Sequence, residues 1–272
     1  MATGEELKQM VREKYGEVAM LAKLADETGC GCSCGCGSSG EETMNTAEDY
    51  TRLKGYVPEA DLGLGCGLPT EFARIKAGDT VVDLGSGAGN DAFIARAIVG
   101  DAGRVIGVDM TAPMIEKARA NAQKLGYTNV EFRPGEIENL PVASNSVDVV
   151  VSNCVMNLVP DKRKAYAETY RILKPGGHFS ISDIVLRGEL PKAARDAAAL
   201  YAGCISGAEQ YEDYLAAIRA AGFANVTVQK ERRNEIPDEV IVRELGAEEL
   251  KAFNKAAVGV YSITVYADKP AH

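Results

Sequence analysis

The chemistry-bearing residues of this chain of 272 residues fall into two groups, and the first is its seven cysteines. Cys30, Cys32, Cys34 and Cys36 alternate with Gly and Ser in one short run, whereas Cys66, Cys154 and Cys204 stand singly. Four alternating thiols suit soft-ion capture or thiol–disulfide exchange. They do not match the structural zinc pattern, in which ligand pairs come in two separated halves. An odd number of cysteines in a chain of this size does not read as a disulfide framework either. The second group is Asp83-Leu-Gly85-Ser86-Gly87-Ala-Gly89, an acid followed by three glycines at alternate positions. Glycines there let a ligand approach the backbone closely, and the start of a following helix offers free N–H groups to its polar atoms. Twenty residues beyond Gly89 a second strand pattern ends in Asp109, where a carboxylate can accept hydrogen bonds from two ribose hydroxyls. The only histidines are His178 and His272, and neither stands in an acid–base arrangement.

The elements that must position these groups follow from the hydrophobic pattern. Residues 5–25 carry Leu7, Met10, Val11, Val18, Leu21 and Ala22 near helical spacing. The Gly- and Ser-rich cysteine run is a flexible loop, and residues 47–56 form a short helix. Asp61–Pro69 is a glycine-rich loop carrying Cys66. From Thr80 the alternation is regular: strand 80–84, helix 90–99, strand 104–108, helix 112–125, strand 130–133, strand 147–152 and helix 161–173. Strand 178–185 follows, then an alanine-rich helical stretch 189–221 broken near Gly203–Gly207. Strand 225–231, a helical segment 245–256 and strand 259–267 finish the chain. Repeated strand–helix units predict an α/β fold, a doubly wound, mostly parallel sheet covered by helices on both faces. Ligands of such sheets lie beyond the carboxyl ends of the strands, where the pattern puts Cys154.

Composition narrows the function. The formal charge of −9 argues against nucleic acid as a partner. No run approaches eighteen apolar residues, so no membrane-spanning helix is expected. The first twenty residues are studded with charges from Glu5 to Glu17, unlike a secretory leader, and a cytoplasmic protein with reduced thiols is the expectation.

The spacing GxGxG with Asp83 two residues ahead resembles the class I methyltransferases, which use S-adenosylmethionine. Several segments are more specific still. Val11–Gly16, the clustered cysteines, Ala60–Gly67, Val105–Thr111, Ser152-Asn-Cys154-Val-Met-Asn-Leu158 and Gly203-Cys204-Ile-Ser-Gly-Ala208 together resemble the arsenite methyltransferases. The likeness covers residues 11 to about 225.

The resemblance implies a Rossmann-like seven-stranded sheet whose last two strands pair antiparallel. Residues 1–70 would supply the N-terminal helix, the cysteine-rich loop and a cap. Residues 71–272 would be the methyltransferase domain, with a helical insertion at about 189–221. Asp83, Gly85 and Gly87 would border the methionine end of the cofactor and Asp109 its ribose. Glu136 and Ile137 would lie by the adenine, and Ser86, Met110 and Asn153 are further cofactor-binding candidates. Cys66, Cys154 and Cys204 would hold trivalent arsenic, a soft thiophilic centre, as arsenite or methylarsenite. Cys154 and Cys204 would be the indispensable pair, and Cys66, on a flexible loop, the third ligand. Cys30, Cys32, Cys34 and Cys36 would relay oxidising equivalents to a thiol reductant, a thioredoxin or glutathione system. Two other readings compete. A methyltransferase acting on a small organic acceptor such as a quinone leaves the cysteines idle. A thiol-rich metalloid-binding protein leaves the glycine motif idle.

Overall fold

The structure, a computed structural model, describes residues 3–27, 48–196 and 207–271. Cys30, Cys32, Cys34, Cys36 and Cys204 lie outside these residues, and so do the expected cysteine loop and the break near Gly203. Among the described residues, helix α1 (Gly4–Glu27) is followed by a 3-10 turn at Pro58–Ala60 and a four-residue helix α2 (Pro69–Phe72). The α/β alternation then runs β1 (Thr80–Leu84), α3 (Asn90–Val99), β2 (Arg104–Asp109), α4 (Ala112–Lys124), β3 (Val130–Pro134) and β4 (Val147–Asn153). Helix α5 (Lys162–Ile172) feeds directly into the long β5 (Leu173–Arg187). After α6 (Lys192–Asp196) come α7 (Tyr211–Ala220), β6 (Ala224–Asn234), α8 (Asp238–Leu245), α9 (Ala247–Ala256) and β7 (Gly259–Asp268).

The seven strands form one sheet in the order β3-β2-β1-β4-β5-β7-β6. The first five are parallel, and β7 runs antiparallel between β5 and β6. The expected class of fold is therefore present. Alternation along the central strands decides which helices cover which face. Val82, Leu84 and Val150 pack with Tyr166 and Ile172 of α5 and Tyr214 and Ile218 of α7. Val81, Val149 and Val151 face the other way, against Phe93 of α3 and Ile115 of α4. Both faces of β1 and β4 are thus dry, and what remains accessible is the strands' carboxyl edge. Among the described residues no helix is long and apolar enough to cross a membrane.

Two local features depart from the expectation. Residues 48–56 form turns rather than a helix. Asp49 caps its own neighbour, its Oδ1 accepting from the Thr51 N–H at 2.9 Å and from the Thr51 hydroxyl at 2.6 Å, a side-chain bond that competes with helix. Burial of Tyr50 then fixes the segment to the core. The helix expected over 245–256 is present as α9, but a further helix, α8, precedes it, and Gly246, at φ +91°, separates the two.

Candidate active site

The site is built on the carboxyl ends of β1, β2 and β4. A cleft enclosing about 1090 Å³ out to its mouth opens there, and every residue expected at the cofactor lies on its wall. Asp83, Gly85, Ser86 and Gly87 come from the turn after β1, Asp109 and Met110 from the end of β2. Glu136 and Ile137 follow β3, and Asn153 ends β4. The turn is sharp: Gly85 sits at φ +66°, and a Cβ there would meet Val155 at 2.5 Å. Only glycine fits both constraints. Asp109 ties this turn to β2, its Oδ2 accepting from the Gly87 N–H at 2.9 Å and its Oδ1 from the Thr111 N–H at 2.8 Å.

Acidity marks the cleft. Burial lifts the Asp83 carboxyl well above the ordinary range, and the neighbouring charges of Asp91 and Asp109 lift it further. Burial also raises Asp91 to about 6, against the hydrogen bonds of Asn153 and Tyr50. Asp109 is raised by burial too, with the Thr111 and Gly87 N–H groups opposing. Oδ2 of Asp83 and Oδ1 of Asp91 have no hydrogen-bond partner among the described residues. Buried acceptors of this kind are costly until something cationic or hydrogen-bonding reaches them.

Asn153 joins the cleft to the cysteines. Its side-chain N–H donates to Gly67 O at 2.8 Å, to Asp91 Oδ2 at 3.1 Å and to the Tyr50 hydroxyl. Its Oδ1 accepts from the Cys66 N–H at 3.0 Å. The Tyr50 hydroxyl in turn donates to Asp91 Oδ2 at 3.0 Å, and lies at the same distance from Gly67 O. A Cβ on Gly65 would approach Asn153 Nδ2 to 2.7 Å, so glycine at 65 is what lets the loop lie this close. Cys66, expected on a flexible loop, is completely buried and held from beneath.

Cys154 follows at the end of β4 and is 6% exposed, which leaves its thiol facing the cleft. Its φ is +60°, a left-handed conformation that is uncommon for residues other than glycine. The Cys154 N–H donates to Ser182 O of β5 at 2.8 Å, and that bond holds the turn. Ligand atoms of Cys66, Cys154 and Asp183 all lie within 4.8 Å of one another. Cys66 and Cys154 are both thiols, not a disulfide.

Three contributors were not foreseen. Asp183 is a fully buried carboxylate beside the thiols, and burial pushes it up to about 7. Its signal in the sequence is a lone charge inside Phe179-Ser-Ile-Ser-Asp-Ile-Val-Leu186. Tyr50 and Asp91 form the clamp described above. Helix α1 closes one side of the cleft with Lys8, Val11 and Tyr15. Lys8 pairs with Glu136 at 2.7 Å and Glu138 at 2.9 Å, and Arg12 pairs with Glu136 at 2.6 Å. The Lys8 ammonium holds the Glu136 carboxyl below its ordinary range. Glu136, expected at the adenine, thus spends its carboxylate on the helix.

Comparison with known proteins agrees with this geometry. Residues 75–236 match the family model described as a methyltransferase domain. An arsenic(III) S-adenosylmethionine methyltransferase from Chlamydomonas reinhardtii superposes with a TM-score of 0.64. It is 36% identical, over 76% of this chain and 68% of that one. The chain belongs to the arsenite methyltransferase family. Another member, the arsenite methyltransferase of Halobacterium salinarum, is 41% identical over 82% of this chain and 59% of its own length. That of Aquipseudomonas alcaligenes is 39% identical over 55% and 45%. This family member therefore spans about half the length of these two curated relatives.

Proposed function

We propose that this protein transfers the methyl group of S-adenosylmethionine to trivalent arsenic held by cysteine thiolates. The observation that carries the reading is the convergence of Cys66 and Cys154, distant in sequence, beside an acid-lined cleft at the sheet's carboxyl edge. The cleft suits the donor. Unpartnered oxygens of Asp83 and Asp91 match a cationic molecule, the glycine turn leaves its wall free of side chains, and Asp109 has lone pairs to spare for a ribose. Met110 and Ile137 offer apolar walls to a base. When bound, S-adenosylmethionine supplies an electrophilic methyl whose sulfonium leaving group departs without a proton. That fits a wall with no histidine among the described residues.

The chain's part is to bind, orient and exclude water. Thiolates of Cys66 and Cys154, with Cys204 as the third, replace the hydroxyls of arsenite as water and fix the arsenic lone pair. That pair forms the new arsenic–carbon bond, which formally oxidises arsenic from trivalent to pentavalent. Two of its thiolates then leave joined as a disulfide and return two electrons, so methylarsenite is trivalent again. Cys30, Cys32, Cys34 and Cys36 pass the disulfide to a thioredoxin or glutathione system.

The test supplies arsenite, S-adenosylmethionine and a thiol reductant and resolves the products by arsenic speciation. Methylated arsenic is expected from the wild type. None is expected from Cys154→Ser, whose cofactor affinity by calorimetry persists. Near-normal turnover by that variant overturns the ligand assignment. Methylarsenite has one valence committed to carbon and needs two thiolates. Cys66→Ser is therefore expected to lose arsenite turnover and keep substantial methylarsenite turnover.

A further inference from the structure

The acid beside the thiols has no place in the chemistry above. Asp183 is 0% exposed, in a strand stretch of otherwise uncharged residues. Its Oδ1 accepts from the Ile184 N–H at 2.9 Å, and its Oδ2 has no hydrogen-bond partner among the described residues. The nearby cation, the Lys162 ammonium, is directed at the carbonyls of Asn157 and Val159, at 3.5 and 3.3 Å. A carboxylate and two ionisable thiols within 4.8 Å of one another repel when charged. Trivalent arsenic relieves that poorly. It takes thiolates, and a hard carboxylate oxygen adds little to a soft centre.

We propose that Cys66, Cys154 and Asp183 form a buried two-sulfur, one-oxygen site for a thiophilic divalent cation, zinc or its heavier congener cadmium, and that its occupancy excludes arsenic. The site itself stands on geometry alone, and the exclusion rests on the reading that the same thiols hold arsenic. Zinc accepts sulfur and carboxylate ligands together, commonly in fours, with an open position taken by water where the protein gives three. Asp183 is anchored on β5 and Cys154 at the end of β4, adjacent strands, while Cys66 is set by the Asn153 clamp. All three donors are thus fixed by the fold. Entry is through the cleft, past Cys154. Binding releases the protons of both thiols, and that of Asp183 when it carries one, to water. No redox change occurs.

Cadmium is the probe, because its thiolate bonds absorb in the ultraviolet. The full chain carries Cys30, Cys32, Cys34, Cys36 and Cys204 as Ser, to remove competing thiols, and is titrated with Cd²⁺ in the absence of methyl donor. One equivalent is expected to bind with a two-thiolate absorption band. Cys66→Ser and Cys154→Ser should each lose half of the band or more. Asp183→Asn, which keeps the shape and removes the charge, should raise the dissociation constant at least tenfold. Arsenite in rising excess should diminish the band competitively in the parent protein, raising the apparent dissociation constant for Cd²⁺, a readout that needs no further variant. Unchanged affinity in Asp183→Asn, or a full band in either cysteine variant, overturns the site. A band that stays intact while one equivalent of arsenic is bound to the same protein overturns the exclusion. Because no turnover is measured, failure of arsenic methylation leaves these outcomes readable and is told apart from failure of the cation site.

Discussion

At the scale of single residues, Asn153 and Cys154 carry opposite burdens. Asn153 satisfies polar groups on three segments at once. Asn153→Ala removes the acceptor of the buried Cys66 N–H and leaves the Gly67 carbonyl and Asp91 Oδ2 to share the one proton of the Tyr50 hydroxyl. A loss of about 1–3 kcal/mol in chemical denaturation is expected, together with reduced arsenite turnover, since Cys66 is no longer held. A variant as stable as the parent would show that water replaces the clamp. Cys154 instead stores strain at φ +60°. Left-handed backbone costs a residue with a Cβ roughly 1–2 kcal/mol relative to glycine. Cys154→Gly is therefore expected to be about 1 kcal/mol more stable than Cys154→Ala, measured as the difference in unfolding free energy. Equal stabilities would place the strain elsewhere. The turn residues Asp83, Gly85 and Gly87 and the acid Asp109 were legible from the glycine spacing, because a strand–turn–helix dictates which backbone faces a ligand. Asp183 and Tyr50 were not. Asp183 is reached only through the pairing of β4 with β5, and Tyr50 only through a loop packed from elsewhere, neither of which has a local signature.

At the scale of elements, α1 latches the cleft through Lys8 and Arg12 on Glu136 and Glu138. Sequence alone showed an amphipathic helix but not its partner, since periodicity tells that a face is buried and not against what. The sheet was easier, because dry parallel strands read as continuous apolar runs. The turns over 48–56 were missed because one side-chain cap outweighs propensity locally, and α8 was missed because its eight residues are a short amphipathic run. The latch is partly exposed, with Arg12 at 28% and Glu136 at 34%, so solvent screening limits its strength. Lys8→Ala with Arg12→Ala is expected to weaken cofactor binding by about 1 kcal/mol, roughly fivefold, at low salt. The difference from wild type should shrink as salt rises. Calorimetric titration at two ionic strengths checks this. A salt-independent loss would mean that α1 acts by packing through Val11 and Tyr15 rather than by charge.

At the scale of the whole molecule, the fold spends stability on an acidic cleft that a cation can repay. Asp83, Asp91 and Asp109 all sit above their ordinary range, chiefly because burial disfavours their charged forms. The linkage follows in sign. Between the ordinary carboxyl range, near 4, and about 6, the folded protein keeps a proton on Asp91 that the unfolded chain has released. Stability therefore falls as pH rises through that window, and above about 6 the cost of the buried charge is fully present. Cofactor binding runs the other way. A sulfonium and an ammonium in the cleft favour the ionised carboxylates, so binding releases protons near pH 6 and tightens as pH rises towards 7. Calorimetry in two buffers of different ionisation enthalpy counts those protons. Asp91→Asn, which can still accept from Tyr50 and Asn153 through its carbonyl, should flatten both profiles. Its unliganded form should gain stability above pH 6, while its affinity for S-adenosylmethionine at pH 7 drops by about 1–3 kcal/mol. Proton release equal in variant and wild type would remove Asp91 from the account and leave Asp83, the more deeply buried acid, as its source.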